Sequence, residues 1–252
     1  MGSMWVDPAE DPKTYPMQGL PPPPFDPSAL TTAQTFPEER WGADFKAMRW
    51  LIDFTRQPDW QNQVRANIPR PPKPDSQDTI DALRDLVDYQ ATLREKALPE
   101  ILAQNGDFQL YLCSQLSIYP HTFPNSYLML KIVSRIGELV MVYLKRRFAA
   151  VRPSQIYPRL TPPIPVAPHA SYPSGHAMIS HLMALMAREM IPDLGDAAYR
   201  LAQRISRNRE IAGLHFQRDS RAGEIAAGNT FDIIKALPDY NSYLQAAKDE
   251  WL

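Results

Sequence analysis

Apolar positions along most of the chain recur at the three- and four-residue spacing of an α-helix, and no run alternates cleanly enough to be read as a strand. From "PEERWGADFKAMRWLIDFTRQ" onward, apolar residues such as Phe45, Met48 and Leu51 with Ile52 recur at helical spacing and predict a first helix. The segment "SQDTIDALRDLVDYQATLREKALPEILAQNG" carries Ile80, Leu83, Leu86, Val87 and Leu93 on one side, acids near its beginning, and Asn105-Gly106 as a stop signal. It reads as a second helix, bent at Pro99. The longest helical run, "NSYLMLKIVSRIGELVMVYLKRRFAAVRP", starts after Pro124 and ends before Pro153, because the residue ahead of a proline is pushed out of helical geometry. Residues 152–173 are rich in proline, have no helical period and read as a loop. Then come "SGHAMISHLMALMAREM" and "DLGDAAYRLAQRISRNREIAGLHF", two helices split by "IPDLGD", and one or two more to the C-terminus. The pattern is that of an all-α helical bundle.

Composition refines this picture. A chain of 252 residues is long enough for one larger domain. Prolines crowd the opening stretch ("PPPPFDPSAL"), so residues 1–40 are expected as an extended proline-rich segment and residues 41–252 as a single helical domain. The net charge of -1 and the lack of a long basic run argue against capture of nucleic acid. Cys113 is the only cysteine, which excludes an intramolecular disulfide and a multi-cysteine metal site. The apolar stretch from Ile132 to Leu144 is interrupted by Ser134, Arg135 and Glu138, so no membrane span is expected. The opening "MGSM" reads as an expression scar ahead of Met4, and the compartment stays open between cytoplasm and periplasm.

Chemistry concentrates around "SYPSGHAM", residues 171–178, where proline-rich loop turns into apolar helix. Ser174 is placed as an N-cap, and the unpaired amides after it lie at the positive end of the helix dipole, which attracts an anion. Gly175 lets the backbone come close to such an anion, and His176 is in reach of it. Alone, the tripeptide is a capped helix with an incidental histidine. It has company on both sides. Upstream, in "KRRFAAVRP", Lys145 and Arg152 are seven positions apart, nearly two helical turns, which would put them on roughly one face. Downstream, in "NREIAGLHFQRD", Arg209 precedes His215 by six positions and Asp219 follows it by four.

The set Lys-x6-Arg-Pro, Pro-Ser-Gly-His and Arg-x5-His-x3-Asp, spanning residues 145–219, resembles the signature of the superfamily joining type 2 phosphatidic acid phosphatases, class A bacterial acid phosphatases and vanadium-dependent haloperoxidases. One position departs from it: Asn208 stands where the family usually has serine before the third-block arginine. The resemblance implies a four-helix core with additional packed helices, assembled as dimers or larger rings. It implies His215 as nucleophile, Asp219 as its tautomer-fixing partner and His176 as general acid and base. Lys145, Arg152, Arg209, Ser174 and Gly175 would hold the phosphate oxygens.

The expected activity is metal-independent hydrolysis of a small phosphate monoester through a phosphohistidine, with no cofactor. A vanadium haloperoxidase, taking vanadate on the same cations, is the nearest alternative. A prenyl or other diphosphate phosphatase or cyclase keeps the site and changes the substrate, and a non-enzymatic anion-binding protein has no use for His215, Asp219 and His176. Among the remaining conspicuous residues, His181 reads as packed or exposed and Met183, Met186 and Met190 as core. His121 and His169 fall in loops, and of the two only His169 is near enough in sequence to line the site.

Overall fold

The computed structural model describes residues 26–29 and 35–252. Met1–Arg40 and Trp41–Leu252 separate as two units. Most of the extended stretch expected over residues 1–40 lies outside the described residues; within it, Pro27–Ala29 and Glu38–Arg40 are single 3-10 turns. The second unit is helical, and no strand occurs among the described residues.

Helix α8 (Gly175–Met190) is the axis of the fold. It is apolar on nearly every side, and eleven of its residues, from Ala177 to Met190, are buried, as expected of a helix enclosed by others. Around it pack α6 (Pro124–Phe148), α9 (Gly195–Ile211) and α10 (Gln217–Lys235), completing a four-helix core. Met183, Met186 and Met190 belong to this core, and His181 is buried in it with its Nδ1–H donated to the Ala177 carbonyl at 2.8 Å. Gly223 on α10 is a site of close approach: a Cβ there would come within 2.7 Å of the Ser174 carbonyl and 2.9 Å of the Met178 amide nitrogen. Only a residue without a side chain lets α10 lie against the first turn of α8.

The outer helices are α1 (Ala43–Thr55) and α11 (Tyr240–Asp249) on α6, α2 (Trp60–Arg65) against α10, and α3 (Gln77–Thr92) with α4 (Arg94–Gly106) on α9. The short helix α5 (Phe108–Gln115), which no sequence pattern announced, joins α4, α8 and α9. Its Asp107 cap accepts from the amides of Gln109 and Leu110. The four-residue helix α7 (Pro153–Ile156) sits inside the stretch expected to be loop.

The phase of α1 is set by its neighbours, and three local expectations need correction. The buried face of α1 is Ala47, Trp50 and Phe54, whereas Phe45, Met48 and Ile52 are 67%, 52% and 52% exposed. The helix carries two apolar stripes, and the aromatic one wins because Trp50 meets Tyr243 and Phe54 meets Trp60, at ring centroid distances of 5.3 and 5.5 Å. The second helix breaks at Leu93, not at Pro99, which sits inside α4. Helix α6 stops at Phe148, where Ala149 adopts left-handed geometry (φ 50°), so Arg152 is the cap of α7 and shares no helix with Lys145. Finally, α9 ends at Ile211 and Gly213 takes φ +75°, which leaves His215 in the loop between α9 and α10.

The phase of α1 is testable by denaturant unfolding. Trp50→Ala should lose about 3–5 kcal/mol, the cost of a large core deletion, whereas Phe45→Ser and Met48→Gln should stay within about 0.5 kcal/mol of the parent.

Candidate active site

The end of α6, the stretch before α8, the first turn of α8 and the loop between α9 and α10 meet beside a cavity of about 370 Å³ lined by Arg152, Gly175, His176, Arg209 and His215. Thus both imidazoles of the sequence blocks face one hollow. Lys145 borders a second cavity, of about 680 Å³, that shares Arg152 and His169 with the first. Ser174 and Asp219 lie beneath the wall. The Ser174 side chain accepts from the Ala177 amide at 3.4 Å, capping α8, and is wholly buried.

His215 is held from below. Asp219, a pure acceptor when ionised, takes the His215 Nδ1–H on Oδ2 at 3.1 Å, together with the Ser171 hydroxyl at 2.6 Å and the Phe216 amide at 3.3 Å. Placing the ring proton on Nδ1 leaves the Nε2 lone pair free, with the nearest Arg152 nitrogen 3.5 Å away. Burial, assisted by Lys145 and Arg152 and opposed by the Asp219 hydrogen bond, lowers the His215 pKa to about 3. The ring is therefore neutral at ordinary pH.

Three cations surround it. Lys145, Arg152 and Arg209 are 3%, 3% and 1% exposed. Each is aimed by backbone carbonyls. Lys145 Nζ donates to Ala170 and Ser171 at 2.7 Å each, Arg152 to His169 at 3.0 Å and Leu214 at 3.1 Å, and Arg209 to Ile101 at 3.0 Å. None of the three forms an ion pair among the described residues, and Arg209 Nε and one terminal nitrogen are buried without a hydrogen-bond partner. Burial, with Arg152 nearby and Asp219 opposing, pulls Lys145 down to about 7, and burial alone brings Arg209 to about 10. Buried charge is costly without a counter-charge, so an anion entering this pocket would relieve that cost.

His176 occupies the far wall with its ring stacked on Phe108, centroids 4.1 Å apart and planes inclined by 30°. Its Nε2 is buried and unpartnered. Burial first, then the Arg209 charge, holds its pKa well below the usual imidazole range.

Several contributors were not legible in the sequence. Ser171 sits in the quoted turn, yet nothing in its spacing revealed a bond to Asp219. Phe108 comes from an element with no pattern of its own. His169, near enough in sequence to be a candidate, does line the cavity and lies 3.1 Å from an Arg152 nitrogen through Nδ1. Asn208 points away from the cavity and donates to Gln104 at 3.1 Å. Among the described residues no cluster of histidine, cysteine and carboxylate groups is arranged to hold a metal ion, and no helix is long and apolar enough to cross a membrane.

Fold and site together define an all-helical protein with a histidine–aspartate pair set in a buried cationic pocket. Comparison with known proteins gives that class its relatives. The non-specific acid phosphatase of Providencia stuartii is 28% identical over 128 residues, 49% of this chain and 52% of that protein. The non-specific acid phosphatase of Salmonella typhimurium is 25% identical over 138 residues, 53% of this chain and 55% of its own length. The chain thus spans about half the length of these curated relatives. A transmembrane PAP2-type phosphatidylglycerolphosphate phosphatase from Bacillus subtilis overlaps 77% of this chain and 94% of its own at 16% identity, with a TM-score of 0.34. No family model matches the chain. Over about half its length, then, the chain is similar to non-specific acid phosphatases, the group that its three sequence blocks resemble.

Sulfate, a dianion across the neutral range, probes the pocket directly. Lys145 is charged below about pH 7 and neutral above it in the empty site. Sulfate binding should therefore be tightest below that point and weaken above it by up to about tenfold per pH unit, the limit for uptake of one proton. Calorimetric titration in buffers of different ionisation enthalpy would report that uptake, and Lys145→Met should remove the share of it that Lys145 contributes.

Proposed function

We propose that this chain hydrolyses phosphate monoesters through a phosphohistidine on His215. The observation that carries this reading is the buried set Lys145, Arg152 and Arg209, without carboxylate partners among the described residues, beside a neutral imidazole that lines one cavity with the two arginines. The phosphatase names of the relatives support it.

In this mechanism the arginines and lysine neutralise the non-bridging oxygens, and the amides at the start of α8 add their dipole. His215 Nε2 attacks phosphorus in line. A P–N bond forms, the ester P–O bond breaks, and His176 gives its proton to the departing oxygen. The bound dianion supplies the negative charge that lets His176 hold that proton despite its buried setting. In the second step His176 takes a proton from water, the new oxygen joins phosphorus, the P–N bond breaks, and phosphate leaves. Asp219 keeps the proton on His215 Nδ1 throughout and stabilises the charge that develops on the ring. Phosphoryl transfer asks mainly for positioning and charge stabilisation, which this site supplies from its own side chains. The haloperoxidase alternative has no comparable support, since the relatives named above are phosphatases.

Hydrolysis of p-nitrophenyl phosphate should vanish in His215→Ala and fall about 10²–10⁴-fold in His176→Ala, the usual range for loss of a general acid. Rapid quenching of the parent enzyme should trap an acid-labile, alkali-stable phosphoryl group on His215. Undiminished turnover in His215→Ala would remove the nucleophile assignment, and bromide oxidation with vanadate and peroxide in place of hydrolysis would reverse the choice of reaction.

A further inference from the structure

A second cationic hollow, of about 490 Å³, is lined by Arg65, Ile68, Arg70, Pro71, Arg147 and Phe148 and shares no residue with the His215 cavity. Three of the six wall residues are arginines and none is acidic. None of these arginines takes part in an ion pair among the described residues, and the hydrogen bond of Arg65 goes to the neutral Asn62, at 2.8 Å. Elsewhere on the surface Arg135 pairs with Glu138, Arg204 with Glu100 and Arg207 with Glu210. A chain with almost equal numbers of acids and bases has lined this concavity with three arginines and no carboxylate.

The walls are anchored. Arg65 closes α2, whose following backbone is tied to α10 by the Asn229 side chain, which donates to the Ala66 carbonyl at 2.7 Å. The Pro69 carbonyl beside Arg70 accepts the Tyr172 hydroxyl at 2.6 Å, and Phe148 packs edge-on against Tyr172 with centroids 5.0 Å apart. The guanidinium groups therefore stand on fixed backbone around an apolar floor of Ile68 and Phe148. Planar donor forks of this kind match the paired oxygens of a phosphate group, and like charges around one hollow repel until an anion enters.

We propose that this hollow is a second anion site that binds a phosphate group, free or carried on a larger molecule. Equilibrium dialysis of the full chain against radiolabelled inorganic phosphate should find two sites per chain. Arg70→Gln combined with Arg147→Gln should weaken one of them at least about tenfold and leave the other, and the melting temperature, unchanged. Arg209→Gln should affect only the other. A single site that survives the double substitution and disappears with Arg209→Gln would overturn the proposal and leave the catalytic reading standing. A single site with the opposite response would uphold the hollow and count against the His215 cavity. Co-sedimentation with phosphatidylglycerol vesicles separates the sources. Retention lost in the double variant identifies a lipid headgroup, no retention by the parent identifies a free phosphate, and retention unchanged in the double variant shows that headgroups bind elsewhere.

Discussion

One buried carboxylate fixes the geometry of the candidate active site. The Asp219 side chain holds the Ser171 hydroxyl, the His215 ring and the Phe216 amide, while its own backbone carbonyl accepts the Ser174 amide at 3.0 Å. The stretch ahead of α8, the cap of α8, the loop after α9 and the first turn of α10 are thereby joined at one residue. Removing a partner from such a buried polar cluster typically costs about 3–5 kcal/mol, because the groups left behind keep their desolvation penalty. Among the described residues Asp219 is also the only carboxylate hydrogen-bonded to His215. It sets against three buried cations a single negative charge, which goes to orienting His215 and not to neutralising Lys145, Arg152 or Arg209.

That imbalance is affordable because the backbone shares the burden. Carbonyls of Ala170, Ser171, His169, Leu214 and Ile101 accept from the three cations, giving partial negative charge without a formal ion that would compete with an anionic ligand. The same carbonyls belong to chain that cannot easily shift. Ser171 is pinned through its amide to Ala150 at 2.9 Å, and Leu214 through its amide to Arg209 at 3.0 Å. Gly223 completes the arrangement by letting α10 approach α8 until Asp219, one turn earlier, lies under the cap. The packing of the two helices and the placement of Asp219 beneath His215 thus depend on the same close approach.

The three sequence blocks were legible because each joins chemically distinctive residues at short spacing, and their order along the chain matched the spatial result. The reason given for one convergence was nevertheless wrong. Lys145 and Arg152 do not share a helical face; they meet because Ala149 reverses the chain and Arg152 caps the next turn. Periodicity likewise identified α1 without its phase, since both stripes of "ADFKAMRWLIDFT" are apolar and only tertiary neighbours such as Tyr243 decide between them. Ser171 and Phe108 were hidden for a related reason. Their partners lie 48 and 68 residues away, beyond anything that local spacing can encode.

The same consideration changes the standing of the region before α6, which carries none of the three blocks. Arg209 is positioned by the Ile101 carbonyl of α4, and Asn208 beside it donates to Gln104 on that helix. Gln104 in turn donates to Glu100 at 3.2 Å, and Glu100 receives Tyr111 from α5 at 2.8 Å and Arg204 from α9 at 2.6 Å. An amide at position 208 suits this network because it can reach across to a second amide, which a shorter hydroxyl side chain would do less readily. The departure from serine at Asn208 is thus matched by Gln104, a fully buried polar residue on the facing helix. Helices α4 and α5 also supply Phe108 to the His176 stack. They are the wall against which Arg209 of the third block and His176 of the second are held, so the cationic pocket cannot be assembled from residues 145–219 alone.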